Sequence, residues 1–423
     1  MSTFMLLAMV GLFALGVPIA IAIAAASITG IALFTPLPLL LVAQKLMNSI
    51  DSFPLMAIPF FILAGNLMEC AGISSRLVEF ARSVVGGVRG GLACSCVLTC
   101  MIFAAVSGSS VATTFAIGAI VIPAMARHGY PRNFAAALQA TSAELGVIIP
   151  PSIPLILYGV SAGVSIGDLF IAGFGPGFLV GGSLILFVYV LCRVKGWGAS
   201  DGEGRLALVP AVRQAALALL MPVIIIGGIY RGVFTPTEAS VVAVFYALFV
   251  GAVVYRTIGV AEVLLALRRS VISSTVIMFV IAAAGLFSFL ITRAGVPATI
   301  GEWLGRVIHE PYLFLLAVNG FLFVVGMFVE TSAAIIVLAP ILAPIAAGFG
   351  IDLTHFGLVM VINLALGMIT PPFGVNLFAA CQVAAIPFHE IVPRLLPFVL
   401  VVIACLALVT YVPAISIGLL ELL

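Results

Sequence analysis

"GVIIPPS" (146–152) and "GMITPPF" (367–373) each set a proline pair four residues behind a glycine, inside an otherwise apolar run. Proline has no N–H to give the carbonyl four residues upstream, so each run breaks as a helix near its middle. The two pairs lie 221 residues apart, and the same offset places Pro123 on Pro344 and Gly129 on Gly350. The chain therefore contains an internal repeat at a fixed spacing. Ahead of each break stand two apolar stretches joined by a polar tip. Residues 92–106 and 111–126 flank Ser107-Gly108-Ser109-Ser110, and residues 312–328 and 333–347 flank Glu330-Thr331-Ser332. A bilayer core needs about 20 apolar residues per helix. Both pairs are shorter than that and read as re-entrant hairpins.

Full-length spans stand near 4–33, 53–72, 168–192, 212–230, 236–255, 271–292 and 395–417. Of the 423 residues, 64% are hydrophobic and 8% charged, against about 45–50% apolar and 25% charged in a soluble domain. A soluble fold is excluded. The net charge of +2 comes with no basic run, so nucleic acid is not a partner, and lipid and membrane proteins are. No positive charge precedes the first apolar run and no cleavage motif ends it, so 4–33 reads as one retained transmembrane helix. The seven cysteines sit within or at the ends of apolar runs without a C-x-x-C pair, as small hydrophobes rather than a disulfide framework.

Arg76, Arg82, Arg89, Arg127 and Arg132 flank the first hairpin, and Arg193, Lys195, Arg205 and Arg213 fall on the same side two spans later. By the positive-inside rule that side is cytoplasmic. The second hairpin then enters from the opposite face, the repeats are inverted, the N-terminus is cytoplasmic and the C-terminus periplasmic. Arg293 and Arg306 fall on the outer side and run against this rule. Residues 73–90 and 296–309 are amphipathic arms expected to lie in the interface plane, with Leu77, Phe80, Ala81 and Val84 or Ile300, Trp303, Leu304 and Val307 as the apolar stripe. The Gly-rich stretch Ala199–Arg205 reads as the linker between halves.

Inverted repeats, paired hairpins and broken helices describe a secondary transporter whose substrate and ion sit where half-helices end. The carbonyls freed by Pro150 and Pro371, with the hydroxyls of Ser107, Ser110, Thr331 and Thr370, offer neutral oxygens to a hard cation such as Na⁺. The half-helix N-termini favour a carboxylate.

"PFFILAGNLM" (59–68), "FAAVSGSSVATTFAIGAIVIPAM" (103–125), "GVIIPPSIPLILYGV" (146–160), "LFIAGFGPG" (169–177) and "NLALGMITPPFGVNLF" (363–378) resemble the large membrane subunit of tripartite ATP-independent periplasmic (TRAP) transporters. The resemblance spans nearly the whole chain. It implies a sodium-driven importer of organic acids in the bacterial inner membrane, moving by an elevator mechanism. It also implies two partners, a small four-helix membrane subunit and a periplasmic solute-binding protein, and no cofactor other than sodium as coupling ion. One sodium site would comprise Ser107, Ser110, Gly146, Ile149 and Pro150. The other would comprise Gly326, Glu330, Thr331, Gly367 and Thr370.

The expected fold is an all-α polytopic membrane protein with two inverted repeats. It divides into scaffold and arm (1–90), first transport half (91–167), scaffold and second arm (168–309), second transport half (310–394) and a last transmembrane helix (395–423). Ionisable residues inside apolar segments default to functional roles. The resemblance implies that Arg293 reaches substrate beside Glu330, and its planar fork makes it the expected carboxylate clamp, the alternative being an anchor that snorkels to the interface. Ser107, Ser109, Pro154 and Asn376 are further expected substrate contacts. Glu144 departs from the small or hydroxyl residue usual in the family and opens a proton-relay alternative. Asn66, Asn319 and Asn363 are read either as path-lining residues or as helix–helix bonds.

Gly163-Val164-Ser165-Ile166-Gly167 matches the hydrolase G-x-S-x-G but joins membrane helices rather than a strand and a helix. His128, His309, His355 and His389 are isolated, in expected loops, and support no zinc site. No phosphate-binding or dinucleotide loop is present, so the chain is not expected to be an enzyme. The rival readings are a self-sufficient ion-coupled dicarboxylate carrier, an intramembrane hydrolase using Ser165 or Ser109, and a scaffold without transport. Which organic acid is carried stays open between C4-dicarboxylates, sugar acids, sialic acid and keto acids.

Overall fold

The computed structural model describes residues 1–198 and 206–421, so the expected linker Ala199–Arg205 lies outside the described residues. Helices α1 (Ser2–Ala14) and α2 (Ile19–Phe34) come first. Then α3 (Leu40–Ile50) and α4 (Ala57–Cys70), joined through a 3-10 turn at Phe53–Met56, lead into the arm α5 (Ile73–Val85). The first hairpin is α6 (Gly91–Ser107) and α7 (Ser110–Arg127), and the first interrupted helix is α8 (Arg132–Ala143), α9 (Leu145–Ile148) and α10 (Ile153–Ala162). The latter bends by 41° at its break. Helices α11 (Ile166–Lys195), α12 (Leu208–Tyr230), α13 (Pro236–Leu248, continued by a π turn) and α14 (Val260–Arg293) follow, and then the second arm α15 (Val296–Val307). The second hairpin is α16 (Pro311–Phe328) and α17 (Thr331–Gly348), the second interrupted helix α18 (Leu353–Met368) and α19 (Val375–Ala384), and α20 (Phe388–Tyr411) and α21 (Ala414–Glu421) end the chain. Among the described residues no strand occurs, and nine helices are long and apolar enough to cross a membrane. The chain is a multi-pass membrane protein.

The helix ends at both tips and both breaks fall within a residue or two of their expected places, because the signals that end them are local. A polar tip stops one arm, and a Pro-Pro pair removes two donors from the ladder. Three of the four hairpin arms (Ser110–Arg127, Pro311–Phe328 and Thr331–Gly348) are themselves among the nine helices long and apolar enough to cross, not too short to span as expected. Both Pro-Pro bonds are cis. The N-terminal expectation is corrected. Residues 4–33 form two antiparallel helices rather than one, with the Phe4 and Phe34 rings 5.1 Å apart and Met5 filling the space beside Gly30. The turn falls where Gly16 takes φ +78° and Pro18 denies the next turn its donor. Met1 therefore stands at the same end as Phe34, not across a bilayer from it.

Helices α3 and α4 run antiparallel along α14. Lys45 lies over the Phe289 ring at 4.2 Å, Ser49 against Gly285, and Asn66 Nδ2 donates to Ser270 Oγ at 2.7 Å. Beyond the breaks the halves exchange partners. α10 packs on α17 of the second hairpin, and α19 packs on α7 and α8 of the first. The Tyr158 ring of α10 occupies the space beside Gly357 of α18, and its hydroxyl donates to Leu353 O at 2.7 Å. α11 and α20 pack on this same body, against α6, α8 and α18. The two arms differ. Leu77 and Ala81 of α5 are buried, whereas α15 buries no residue and leaves Trp303 61% exposed. His355, expected in a loop, is instead buried in the first turn of α18, with Nδ1 2.6 Å from Ser416 Oγ.

Candidate functional site

At the first tip, Gly108 takes φ +63° and the chain re-enters a helix at Ser109, whose Oγ accepts from Ala112 N at 3.4 Å. At the second, Glu330 does the same work. Its Oε2 accepts from Ala333 N at 3.2 Å and its Oε1 from Ser332 Oγ at 2.9 Å. Each tip is thus an N-cap, satisfying donors that a helix start leaves free. A neutral cap ends the first hairpin and a charged one the second.

Each tip region lies close to a break. Ser109 O and Thr113 Oγ1 both stand 2.9 Å from where a Gly146 side chain would begin, and Pro151 O 2.9 Å from where one on Gly108 would. Only glycine lets the two backbones approach this closely. Pro150 supplies no N–H to the Gly146 carbonyl. Buried Ser107, Ser110, Gly146, Ile149 and Pro150 accordingly sit in adjoining segments of one tip and one break. In the second half, Gly326 of α16 and Gly367 of α18 touch backbone to backbone. Buried Thr331 donates to Met368 Sδ at 2.9 Å, and Thr370 Oγ1 donates back to Leu366 O at 2.8 Å. Both donor sets are uncharged oxygens apart from Glu330, the chemistry a Na⁺ ion accepts.

A cavity of about 780 Å³ opens between the tips. Ser109, Ser110 and Pro154 line it from the first half, Glu330 and Ser332 from the second, and one face of α14 from Ile272, Ser273, Val276 and Ile277 to Phe279 and Val280, with Pro18–Ile21, from outside them. A smaller cavity of about 120 Å³ shares Ser109 and runs between α4 and α14, with Ser107, Asn66, Glu69 and Ser273 on its walls. Ser107, Ser109, Pro154 and Glu330 are thereby brought together. Arg293 and Asn376 are not. Arg293 is exposed at the end of α14, 13 residues beyond Val280, or about 20 Å along the axis at 1.5 Å per residue.

Asn376 is fully buried, and its Nδ2 donates to Oε1 of Glu144, itself only 2% exposed, across 232 residues of sequence. Glu144 Oε2 and Asn376 Oδ1 have no hydrogen-bond partner. Of the other asparagines, Asn66 lines the smaller cavity while bonding Ser270. Asn363 Nδ2 bonds the backbone and side chain of Asn319 at 3.0 and 2.7 Å. Ser273 and the α2 start were missed, since a lone serine in an apolar run carries no local signal and the α2 contact depends on the N-terminal turn.

Ser165, the serine of the G-x-S-x-G match, caps α11 by accepting from Asp168 N at 3.3 Å, an ordinary structural duty. Among the described residues no disulfide is formed, and no cluster of His, Cys, Asp or Glu could hold a metal.

Residues 6–415 match the family described as tripartite ATP-independent periplasmic transporter, DctM component. The chain is 43% identical over 389 residues to the C4-dicarboxylate TRAP transporter large permease protein DctM of Pseudomonas aeruginosa, covering 92% of this chain and 91% of that protein. It is 42% identical to the isethionate TRAP transporter permease protein DctMQ of Oleidesulfovibrio alaskensis, covering 96% of this chain and 65% of that protein. Among solved structures it shares its fold with the Alcanivorax borkumensis YdaH transporter, at a TM-score of 0.66 and 15% identity over 89% of this chain and 88% of that one. With hairpins, breaks and apolar helices agreeing with a match over nearly its whole length, the chain belongs to the DctM family of TRAP transporter large permease subunits, transporters rather than enzymes.

Proposed function

We propose that this subunit imports an organic acid across the bacterial inner membrane, driven by sodium, with the two hairpins and breaks moving as one body in an elevator motion. The observation that carries the reading is the single cavity shared by Ser109, Pro154 and Glu330, bounded by α14 on its far side. Sodium is held at Ser107, Ser110, Gly146, Ile149 and Pro150, and at Gly326, Glu330, Thr331, Gly367 and Thr370. Both sets are rich in carbonyls and hydroxyls and lie beside that cavity. Substrate contacts Ser107, Ser109, Pro154 and Glu330. Arg293 and Asn376 are drawn in only if another conformation brings them closer.

Taking the side of Arg76, Arg82 and Arg89 as cytoplasmic, we read the C-terminus as periplasmic. Because α1 and α2 form a hairpin with Phe4 beside Phe34, we read Met1 as periplasmic too, in place of the cytoplasmic N-terminus expected from the sequence. Two partners complete the system. They are a small four-helix membrane subunit, fused to the large one in a DctMQ-type relative, and a periplasmic solute-binding protein.

The test is uptake of labelled acids into proteoliposomes holding this chain and its small subunit. Succinate, isethionate, N-acetylneuraminate and a sugar acid are each assayed with and without the binding protein and an inward sodium gradient. Uptake that requires both is the expected result. Uptake that needs neither returns the self-sufficient carrier, and uptake driven by protons alone removes sodium from the mechanism.

A further inference from the structure

The smaller cavity has two facing walls, and both end in a charge. On α4 the lining residues Ile62, Gly65, Asn66 and Glu69 recur at helical spacing. On α14 the lining residues Ile277 and Ser273 continue one turn toward the N-terminus to Arg269. Residues three or four apart share a helix face. Where the walls converge, Arg269 Nη1 stands 3.7 Å from Glu69 Oε1, and the two side chains are 52% and 38% exposed. One turn further in, Asn66 Nδ2 donates to Ser270 Oγ at 2.7 Å and Ser270 Oγ donates to Ala266 O at 2.7 Å. That rung is hydrogen-bonded and in part buried. The outer one is long and wet, and an exposed pair of that kind adds little to folding.

From this geometry we infer that Glu69 and Arg269 form an exchangeable anion gate at the cytoplasmic end of the path, where the departing carboxylate of the substrate displaces Glu69 from Arg269. The inference rests on the organic-acid reading and adds the residue that receives the anion once it leaves the hairpin tips. A passage lined by Ser107, Ser109, Asn66 and Ser273 is neutral, and it ends at a carboxylate that repels an anion. Arg269 cancels that repulsion, and its fork binds either carboxylate in the same way. The pair stands beside the arm that carries Arg76 and Arg82, the side assigned as cytoplasmic.

The gate and a mere strut between α4 and α14 differ in sign. Removing either charge breaks a strut equally. In a gate, Arg269→Gln removes the receiver and weakens binding from inside, whereas Glu69→Gln removes the competitor and strengthens it. The measurement is trans-inhibition in proteoliposomes of the full complex with binding protein. Vesicles are preloaded with unlabelled succinate, or with the acid of the panel that the wild type carries, and initial labelled uptake is read against internal concentration.

Expected is an internal half-inhibition concentration raised about 10-fold by Arg269→Gln and lowered several-fold by Glu69→Gln, with Arg269→Lys between wild type and Arg269→Gln. External half-saturation, set by the binding protein, stays put. Shifts in the same direction, or no shift, overturn the gate. Should Arg269→Gln fail to assemble, Glu69→Gln alone still decides by its sign. A wild type that carries no acid at all removes the transport reading instead, a different result from unmoved variants of an active protein.

Discussion

Ser109 and Glu330 hold the same post 221 residues apart, each capping the helix that leaves its hairpin tip, one with a hydroxyl and the other with a carboxylate. The pairing separates two duties of Glu330. Glu330→Gln keeps an oxygen for the Ala333 N–H and removes the charge, so the thermal unfolding midpoint should stay near wild type while the sodium concentration for half-maximal uptake rises. Glu330→Ala and Ser109→Ala should each cost ~1 kcal/mol of stability through the lost cap. If Glu330→Gln leaves the sodium titration unmoved, Glu330 is a cap alone.

Ser107→Ala and Thr370→Ala test the two ion sites separately. Each removes one oxygen beside a break, and a loss of ~1 kcal/mol of ion binding raises the half-saturating sodium concentration about fivefold. Sodium titrations of initial uptake check this, with expression intact. Unmoved titrations in both variants would dissolve the assignment.

The contact of Gly326 with Gly367 leaves no room for a side chain. Gly367→Ala should cost about 1–3 kcal/mol by overpacking and abolish uptake, because the α16 and α18 backbones must separate. Gly348, at the end of α17, has nothing within 4 Å of its missing side chain. Gly348→Ala should leave the melting midpoint and uptake within error, and equal damage from both would show that packing is not the cause.

Asn376→Leu strips Glu144 of its one donor and leaves a buried carboxyl unpaired, a loss of about 1–3 kcal/mol. Replacing both, with Glu144→Leu added, should return part of that stability. A double-mutant cycle read by thermal unfolding should give a coupling of about 1 kcal/mol or more. Additive single effects would mean that the bond between the halves does not matter.

The parts of the fold that were legible are those whose cause is local. A proline pair or a polar tip ends a helix wherever it stands, so the tips and breaks were located from Ser107-Gly108-Ser109-Ser110 and Pro150-Pro151 in one half and from Glu330-Thr331-Ser332 and Pro371-Pro372 in the other. The N-terminal pair was misread because Gly16 and Pro18 interrupt a run whose average composition still looks like one span. Glu144 stood out as an unusual carboxylate, but its partner lies 232 residues away, and only tertiary packing joins them. Arg293 carried the right chemistry for a carboxylate, yet nothing in its neighbours' identities reveals how far along α14 the cavity ends. The wall at Ser273 escaped for the same reason, since facing helices write no shared pattern into the chain, whereas Asn66, read as path-lining or helix-bonding, is found to be both.

The exchange of partners beyond the breaks makes the two hairpin-and-break units mechanically inseparable. α10 leaves the first break to lie on the second hairpin, α19 leaves the second to lie on the first, and Tyr158 is wedged against Gly357 between them. Neither half can slide without dragging the other's tip along. On the sodium-driven reading proposed above, a stroke with only one site filled would carry the empty one across too. The two hairpin-and-break units are thus not two machines side by side but one body whose halves have no independent travel, and under the proposed mechanism leakage of a single ion without its companion would be a geometric problem as much as an energetic one.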